Sequence, residues 1–501
     1  MTRAKEAWRD PDVLPTVAHQ LLSSSPKPPF ADSTLTAYFY QQSRGRFVLH
    51  GGSYPRVIVT EKDESAYRSG SSRVLDRGAI TQEVLRRMDE DSAFDLSEFD
   101  ADGDGRIDYL FILLRRISDV QLVAGGAPAV AALGYNPSRP EFGKSAPVAS
   151  PPAGSFLIYR SAGIIIPHLD LVRLMAHEFG HTLWRGTPIG GGHLPFVGGD
   201  HGVPANGSRR LGYALMVGRL TMQKDRDVID TRGDMLISAV ERDMLDEDWI
   251  ECPVLSGSGT VTLGDLYATS DCRRIVLPGP TEERTLYITN RQRIGYFDRL
   301  QFNPCQGSYH GLMETGLLVQ LREGKRAAVI AADNTLELSI DTSAYAGDLF
   351  GPGSMTQLTP WTRPNISGFA QYPPDFVLQE GNWQALDDIR MTGGSSGEMA
   401  FDYIVDVRER PVIREDSWMG AETSGTRFRS NILVMDGARL TIEAGTEIHL
   451  AEGADLIVSG EGTLAFEREA RVVLGPGSSV ENRGTILLPD GEDAHFVRSD
   501  G

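Results

Sequence analysis

The sequence predicts an α+β chain in three folded parts. Residues 33–250 read as a mixed helix-and-strand domain, 251–407 as an antiparallel β-sandwich and 408–501 as a short β-solenoid-like segment, behind a poorly ordered lead-in at 1–32. Three observations lead there. The run LMAHEFGHTL at 174–183 has helical periodicity and lies among alternating helix and strand patterns. From residue 251 onward, short β-type runs set off by Gly, Pro, Asp and Asn take over. Near the end, glycine returns every eight residues between β-branched stretches. A chain of 501 residues exceeds one ordinary domain, so more than one core is expected.

The lead-in is polar and closes on the proline-rich SSSPKPPF. Thr34 to Ser43 is amphipathic, Arg46 to His50 and Arg56 to Thr60 are short β-type runs, and Ile80 to Met88 is helical. In the second part the expected strands are Gly259 to Leu263, Thr285 to Thr289, Gly316 to Leu321, Ala327 to Ala331 and Met399 to Val407. In the tail, Gly437-Ala438, Gly445-Thr446 and Gly453-Ala454 alternate with RLTIEA and EIHLAE. Strands broken at a fixed interval by small residues suit solenoid rungs, which turn a corner where little space is left. A small additional sandwich is the alternative. The tail reaches Gly501 without a capping element, as a truncated solenoid would.

A net charge of −19 gives no electrostatic footprint for nucleic acid or an anionic membrane, and no apolar run is long enough to span a bilayer. Met1 to Asp10 lacks the apolar core of a secretory signal, so the start is expected to be trimmed or recorded downstream of the true one, because other features point outside the cell. Three cysteines allow one disulfide. Cys252 with Cys272 is the first choice, since both flank one expected strand pair, leaving Cys305 over; three separate thiols are the alternative.

In AHEFGH, His177 and His181 stand four apart and share one helix face, so both imidazoles can reach a single zinc ion. Glu178 sits beside them, placed to take a proton from water at the metal. Leu171, Leu174, Met175 and Phe179 form an apolar stripe that buries this helix, with Gly180 permitting close backbone approach. A second ion site is written in DLSEFDADGDGRIDYL. Asp100, Asp102 and Asp104 alternate, Gly105 makes the turn, Arg106 offers its carbonyl, Ile107 anchors the loop and Asp108 takes the ninth position. Carboxylates this close repel unless a cation neutralises them, and calcium is the natural ion. Phe111 stands where an EF-hand has its bidentate Glu, and Tyr109 to Leu114 looks like a strand. A calcium loop inside the domain is therefore expected, not a sensor hand.

Several ordered features resemble the immune inhibitor A type metallopeptidases, secreted zinc proteases of metzincin-like build. LTAYFYQQSRGRFVL resembles the family's opening helix and strand, FDADGDGRIDYLFIL its acidic loop and strand, and AHEFGHTL its zinc helix. LGYALMVG is similar to the segment carrying the methionine turn, with Met216 beneath the metal. The helix ending in DMLDEDWI resembles the one closing the catalytic domain. LYITNRQRIGYFD and GLLVQL resemble a strand pair of the sandwich that follows. The resemblance spans about residues 33 to 407. It implies a zincin-type catalytic domain, endopeptidase activity on protein or peptide substrates, zinc and calcium as cofactors, and an extracellular or cell-surface location.

The chain departs from the family pattern at the third ligand. In HExxHxxGxx the glycine position is Trp184 and the ligand position Thr187. His193 ranks first among replacements, with His201 and Asp200 as alternatives, all in PIGGGHLPFVGGDHG. The absence of a glutamate between Glu178 and Glu241 disfavours a site completed by a later Glu. Tyr213 could support a transition state through its hydroxyl or simply pack in a core. Two further readings stay open: a catalytically weakened scaffold that binds a polymer or cell surface through its C-terminal segment, and a zinc hydrolase acting on something other than peptides.

Overall fold

The structure is a computed structural model. It describes residues 14, 16–68, 74–115, 122, 129–134, 153–158, 160–161, 164–165, 168–194, 214–216, 221–223, 228–230, 236–245, 249–277, 283–299, 315–334, 347–366, 383–392, 397–490 and 495–499. It is mixed α and β, rich in short strands with few helices, and ends in a β-solenoid of about three turns. The chain divides into two compact units, one drawn from Met1–Pro195, Leu211–Trp249 and Gly295–Gly311, the other from Phe196–Arg210, Ile250–Ile294 and Leu312–Gly501.

In the first unit, helix α1 (Leu35–Gln42) starts at Thr34, whose side chain accepts from the Ala37 amide. Its Leu35, Tyr38 and Phe39 are buried. The lead-in is not loose where it is described. Thr16–Gln20 is helical, Leu21 is buried with its carbonyl accepting from Leu35, and the Ser23 amide donates to Thr36. Helix α2 (Arg77–Asp89) is capped by Asp76 and buries Ile80, Leu85 and Met88. Strands β1 (Tyr109–Leu114), β2 (Ala129–Val130) and β3 (Ala153–Ile158) form a sheet in the order β1-β3-β2. β1 and β3 are parallel and β2 is an antiparallel edge. Ile112, Phe156 and Ile158 pack with Ile80, Tyr67 and Leu133, each such burial contributing about 1.5–3 kcal/mol. Helices α3 (His168–Leu183) and α4 (Ala239–Leu245) complete the part that matters here.

The expected strands at 46–50 and 56–60 do not form. Phe47 is held singly: its amide donates to Ser43 Oγ and its ring packs against Phe39, Phe179 and Trp249, so the stretch runs as irregular chain. At the second stretch, Arg56 instead pairs with Asp91, which also accepts from Tyr54.

The second unit opens with β4 (Gly259–Leu263), β5 (Arg273–Leu277), β6 (Arg284–Arg291), β7 (Gly316–Glu323), β8 (Arg326–Val329), β9 (Ala385–Thr392) and β10 (Glu398–Ile404). They make two antiparallel sheets, ordered β8-β7-β6-β5 and β9-β10-β4. The buried Asn290 amide ties the sheets together by donating to the carbonyls of Leu263 and Gly397 at 2.9 and 2.8 Å. Cys252 and Cys272 form the expected disulfide, with Cα atoms 4.7 Å apart. Cys305 lies outside the described residues.

In the tail, twelve strands stack into three parallel sheets of four. Ile432 pairs with Leu456, Arg439 with Thr463 and Glu447 with Arg471, each partner 24 residues on, so three eight-residue units make one turn. Gly437, Gly445 and Gly453 take left-handed φ values of 80°, 68° and 70°, which explains the glycine spacing at the corners. Val434, Leu440, Ile448, Leu456, Leu464 and Val472 fill the interior. This core continues into Trp361, Ala385 and Ile404, so no break in packing falls at residue 408. No helix among the described residues is long and apolar enough to cross a membrane.

Candidate metal centre

Helix α3 is fixed before it offers any ligand. Leu171, Leu174 and Met175 are buried as the stripe predicted, and Phe179 sits in a ring cluster with Phe39 and Tyr109 at centroid distances of 5.2 and 5.0 Å. Tyr109 Oη bonds both Ser155 and the Glu178 carbonyl, stitching the helix to β3. Gly180 leaves room for Met216: a Cβ there would lie 2.3 Å from Met216 Sδ, which would have to shift. Met216, fully buried, thus stands directly against the helix turn between the two histidines.

His177 is buried, and its Nδ1 lies 2.8 Å from the Leu215 carbonyl. His181 Nδ1 lies 2.6 Å from the Gly191 carbonyl. A carbonyl only accepts, so each Nδ1 carries the proton and each Nε2 presents a bare lone pair. The chain after α3 turns tightly. Gly191 donates to Trp184, Gly190 to Thr187 and Gly192 to Ile189, while Leu194 donates to the Met216 carbonyl. Gly190 and Gly191 have φ of 59° and 71°, conformations that L side chains rarely adopt. This fold-back returns His193 to the helix, with its Nε2 3.3 Å from His177 Nε2. The three rings stand 5.0–5.3 Å apart, and ligand atoms from all three residues fall within 4.8 Å of one another.

These residues fit zinc. A tetrahedral ion bound at about 2.0–2.1 Å holds its nitrogens about 3.3–3.4 Å apart, matching the His177–His193 separation. A single proton could satisfy that pair, yet it would leave the third ring and the carbonyl-anchored tautomers without a reason. Burial depresses all three histidines, with His177 pushed down to about 3 and His193 to about 4, the nearby rings adding to the burial effect. They are therefore neutral donors at neutral pH, as a metal requires.

Glu178 is buried beside this triad. Burial pushes its carboxyl up to about 8, opposed by a bond from the Ala131 amide at the end of β2 and by the charge of Arg77 at the start of α2. A dication on the histidines would draw it down again. The position expected for a third ligand by family spacing is otherwise engaged: Thr187 Oγ1 donates to the Trp184 carbonyl at 2.8 Å. Asp200, His201 and Tyr213 lie outside the described residues.

Sequence reasoning missed Glu241. It is fully buried on α4, and burial pushes it up to about 7 although it accepts four hydrogen bonds. Oε1 accepts from the Met216 amide at 2.5 Å; Oε2 accepts from the Leu215 amide, the Ser238 amide and Ser238 Oγ at 3.0, 2.8 and 3.0 Å. The spacing Ser238-Ala239-Val240-Glu241 was a legible capping-box signal. Arg77 and Ala131 had no comparable signal.

In the acidic loop, Asp100, Asp102 and Asp108 bring carboxylate oxygens within 4.8 Å, a donor set suited to a hard cation. Asp104 does not join them; its side chain faces Arg106 at 3.9 Å, and its amide donates to Asp100 and Asp102. Gly105, with φ of 82°, also donates to Asp100, and Ala101 donates to Asp108. Ile107 is buried with Leu85, Met88 and Leu96, anchoring the loop as expected, and the chain leaves it as β1.

No protein family, no curated protein and no solved structure matches this chain.

Proposed function

We propose that the chain is a zinc-dependent endopeptidase whose ion is held by His177, His181 and His193, with Glu178 as general base. One observation carries the reading: three neutral imidazoles bring ligand atoms within 4.8 Å of one another, one pair of them at the 3.3 Å that suits a tetrahedral ion, with a buried carboxyl on the next residue of the same helix turn. Zinc, when bound, supplies a Lewis acid that polarises a carbonyl and makes water acidic near neutral pH. Glu178 accepts a proton from the attacking water on its carboxylate and returns it to the departing amine. The Ala131 amide holds that carboxylate in place, and the Leu215 and Gly191 carbonyls keep both helix imidazoles in the donating tautomer.

Further features support the same reading. The mixed sheet against α3, and the two antiparallel sheets joined through Asn290, are consistent with a zincin-type domain followed by a sandwich. The Cys252–Cys272 disulfide favours an oxidising, extracellular setting. Calcium at Asp100, Asp102 and Asp108 would stiffen the entry to β1.

Purified protein should carry about one zinc per chain and digest casein in a chelator-sensitive way. His193→Ala should lose metal and activity together. Zinc retained at full occupancy in that variant would remove His193 from the ligand set. A wild-type chain that binds no zinc would overturn the proposal.

A further inference from the structure

We infer that Glu241 is a positioning residue for the metal centre, holding the Leu215–Met216 segment so that His177 is aimed before any ion arrives. The inference rests on the zinc reading above and extends it to a residue 64 positions along the chain from His177. Its ground is a chain of contacts. The Glu241 carboxylate takes the amides of Leu215 and Met216 at 3.0 and 2.5 Å. The Leu215 carbonyl then accepts from His177 Nδ1 at 2.8 Å, and Met216 Sδ fills the place that a Cβ on Gly180 would need. The Glu241 carbonyl also accepts from Trp184 Nε1 at 2.9 Å, fixing the far end of α3. One buried residue thereby secures both sides of the helix turn that carries the ligands. Groups that orient metal-bound histidines typically change metal affinity by about 10–100-fold when lost.

A purely structural alternative exists. Ser238 and Glu241 form a capping box, Ser238 Oγ accepting from the Glu241 amide at 3.2 Å and Glu241 reaching back to the Ser238 amide. Two substitutions separate the roles. Gln serves a capping box as well as Glu, so Glu241→Gln keeps the helix start. The Ser238 and Leu215 amides share Oε2, so a Gln that keeps the box places its NH2 group at Oε1, where it faces the Met216 amide, donor against donor, and releases the loop there. Ser238→Ala does the reverse, breaking the box while leaving both loop bonds intact.

The measurements are zinc affinity by competition with a chromophoric chelator, the visible spectrum of the cobalt-substituted protein, and thermal melting of the metal-free form. Glu241→Gln should bind zinc about 10–100-fold more weakly and alter the cobalt bands. Ser238→Ala should melt lower but bind zinc and cobalt as wild type does. Equal metal affinity and identical cobalt spectra in Glu241→Gln and wild type would reduce Glu241 to a helix cap while leaving the zinc reading intact. A wild-type protein that binds neither metal would instead sink the reading on which the inference rests. Should Glu241→Gln fail to fold, amide exchange in metal-free wild type decides. Protected Leu215 and Met216 amides are expected, and fast exchange there would show that the ion, not Glu241, orders the loop.

Discussion

Gly191→Ala tests the fold-back that delivers His193, and Gly190→Ala is its internal control. Both glycines have positive φ, 71° and 59°, so either substitution incurs the left-handed penalty of about 1–2 kcal/mol. Only Gly191 is crowded. An added Cβ at Gly191 would lie 2.3 Å from the His181 carbonyl oxygen, whereas one at Gly190 meets nothing within 4 Å. Real Cβ contacts stay beyond about 3.0 Å, so the Gly191 backbone or the end of α3 must give by about 0.7 Å. The Gly191 carbonyl is the acceptor for His181 Nδ1 at 2.6 Å, and a displacement of that size strains or breaks the bond. Gly190→Ala should therefore lower the melting temperature by a few degrees with zinc affinity kept, since about 1 kcal/mol shifts a unit of this size by about 2–4 °C. Gly191→Ala should add a loss of zinc affinity of about 10–100-fold. Calorimetry and metal competition on the same samples read both quantities. Equal zinc affinities in the two variants would refute the claim that this carbonyl orients His181.

The remaining expectations can be checked with the same protein. Glu178→Gln should retain zinc while casein digestion falls by about two or more orders of magnitude; undiminished digestion would remove Glu178 as the base. Asp102→Ala with Asp108→Ala should abolish the rise in melting temperature on adding calcium, a gain of about 2.7 kcal/mol at a hundredfold excess over Kd, whereas Asp104→Ala should preserve most of it. Melting curves indifferent to calcium in wild type would leave the loop an acidic turn. Metal-free protein should lose stability as pH rises from about 7 to about 8. There the folded chain still holds the Glu178 proton and part of that of Glu241, which unfolded carboxyls near 4.5 have already released, and the histidines, depressed in the folded chain and ordinarily near 6.5 in the unfolded one, are mostly neutral in both states. Glu178→Gln should reduce that slope and leave the part due to Glu241, and an unchanged slope would place the titration elsewhere.

What could be read from the sequence follows the range of the interactions involved. The pairing of His177 with His181 and the stripe of Leu171, Leu174 and Phe179 are local facts of a 3.6-residue period, and the helix forms where they place it. The solenoid was legible because its corners repeat: each glycine at 437, 445 and 453 needs the same left-handed turn. His193 could be ranked but not singled out, because its return depends on two consecutive positive φ values that spacing does not encode. Glu241 escaped because its partners Leu215 and Met216 lie 26 and 25 residues upstream, and only the capping half of its role is written locally. Asp104 is not among the carboxylates that the structure gathers. Alternation suggested a ligand, but its side chain turns toward Arg106 while its amide serves two neighbouring carboxylates.

The charges around α3 explain why these groups, buried at His177, Glu178 and Glu241 and more open at His181 and His193, belong together. Without an ion, burial drives the whole cluster toward neutrality: the histidines are depressed, and Glu178 and Glu241 are raised. A neutral cluster of this kind contributes little to folding, since polar groups are removed from water and paired chiefly with backbone. On the zinc proposal a dication would reverse the balance. It would take up the bare nitrogens of His177 and His181 together with His193 and favour the ionised form of the adjacent Glu178, the form able to accept a proton. Arg77 cannot fill that place, because it acts on Glu178 from α2 and offers nothing to the imidazoles. Glu241 is kept out of the exchange by its four donors, so its carboxylate serves geometry while that of Glu178 remains available for chemistry. On the zinc proposal the two glutamates with raised proton affinity would divide the work by their partners: the one surrounded by amides would hold the frame, and the one beside the histidines would move a proton.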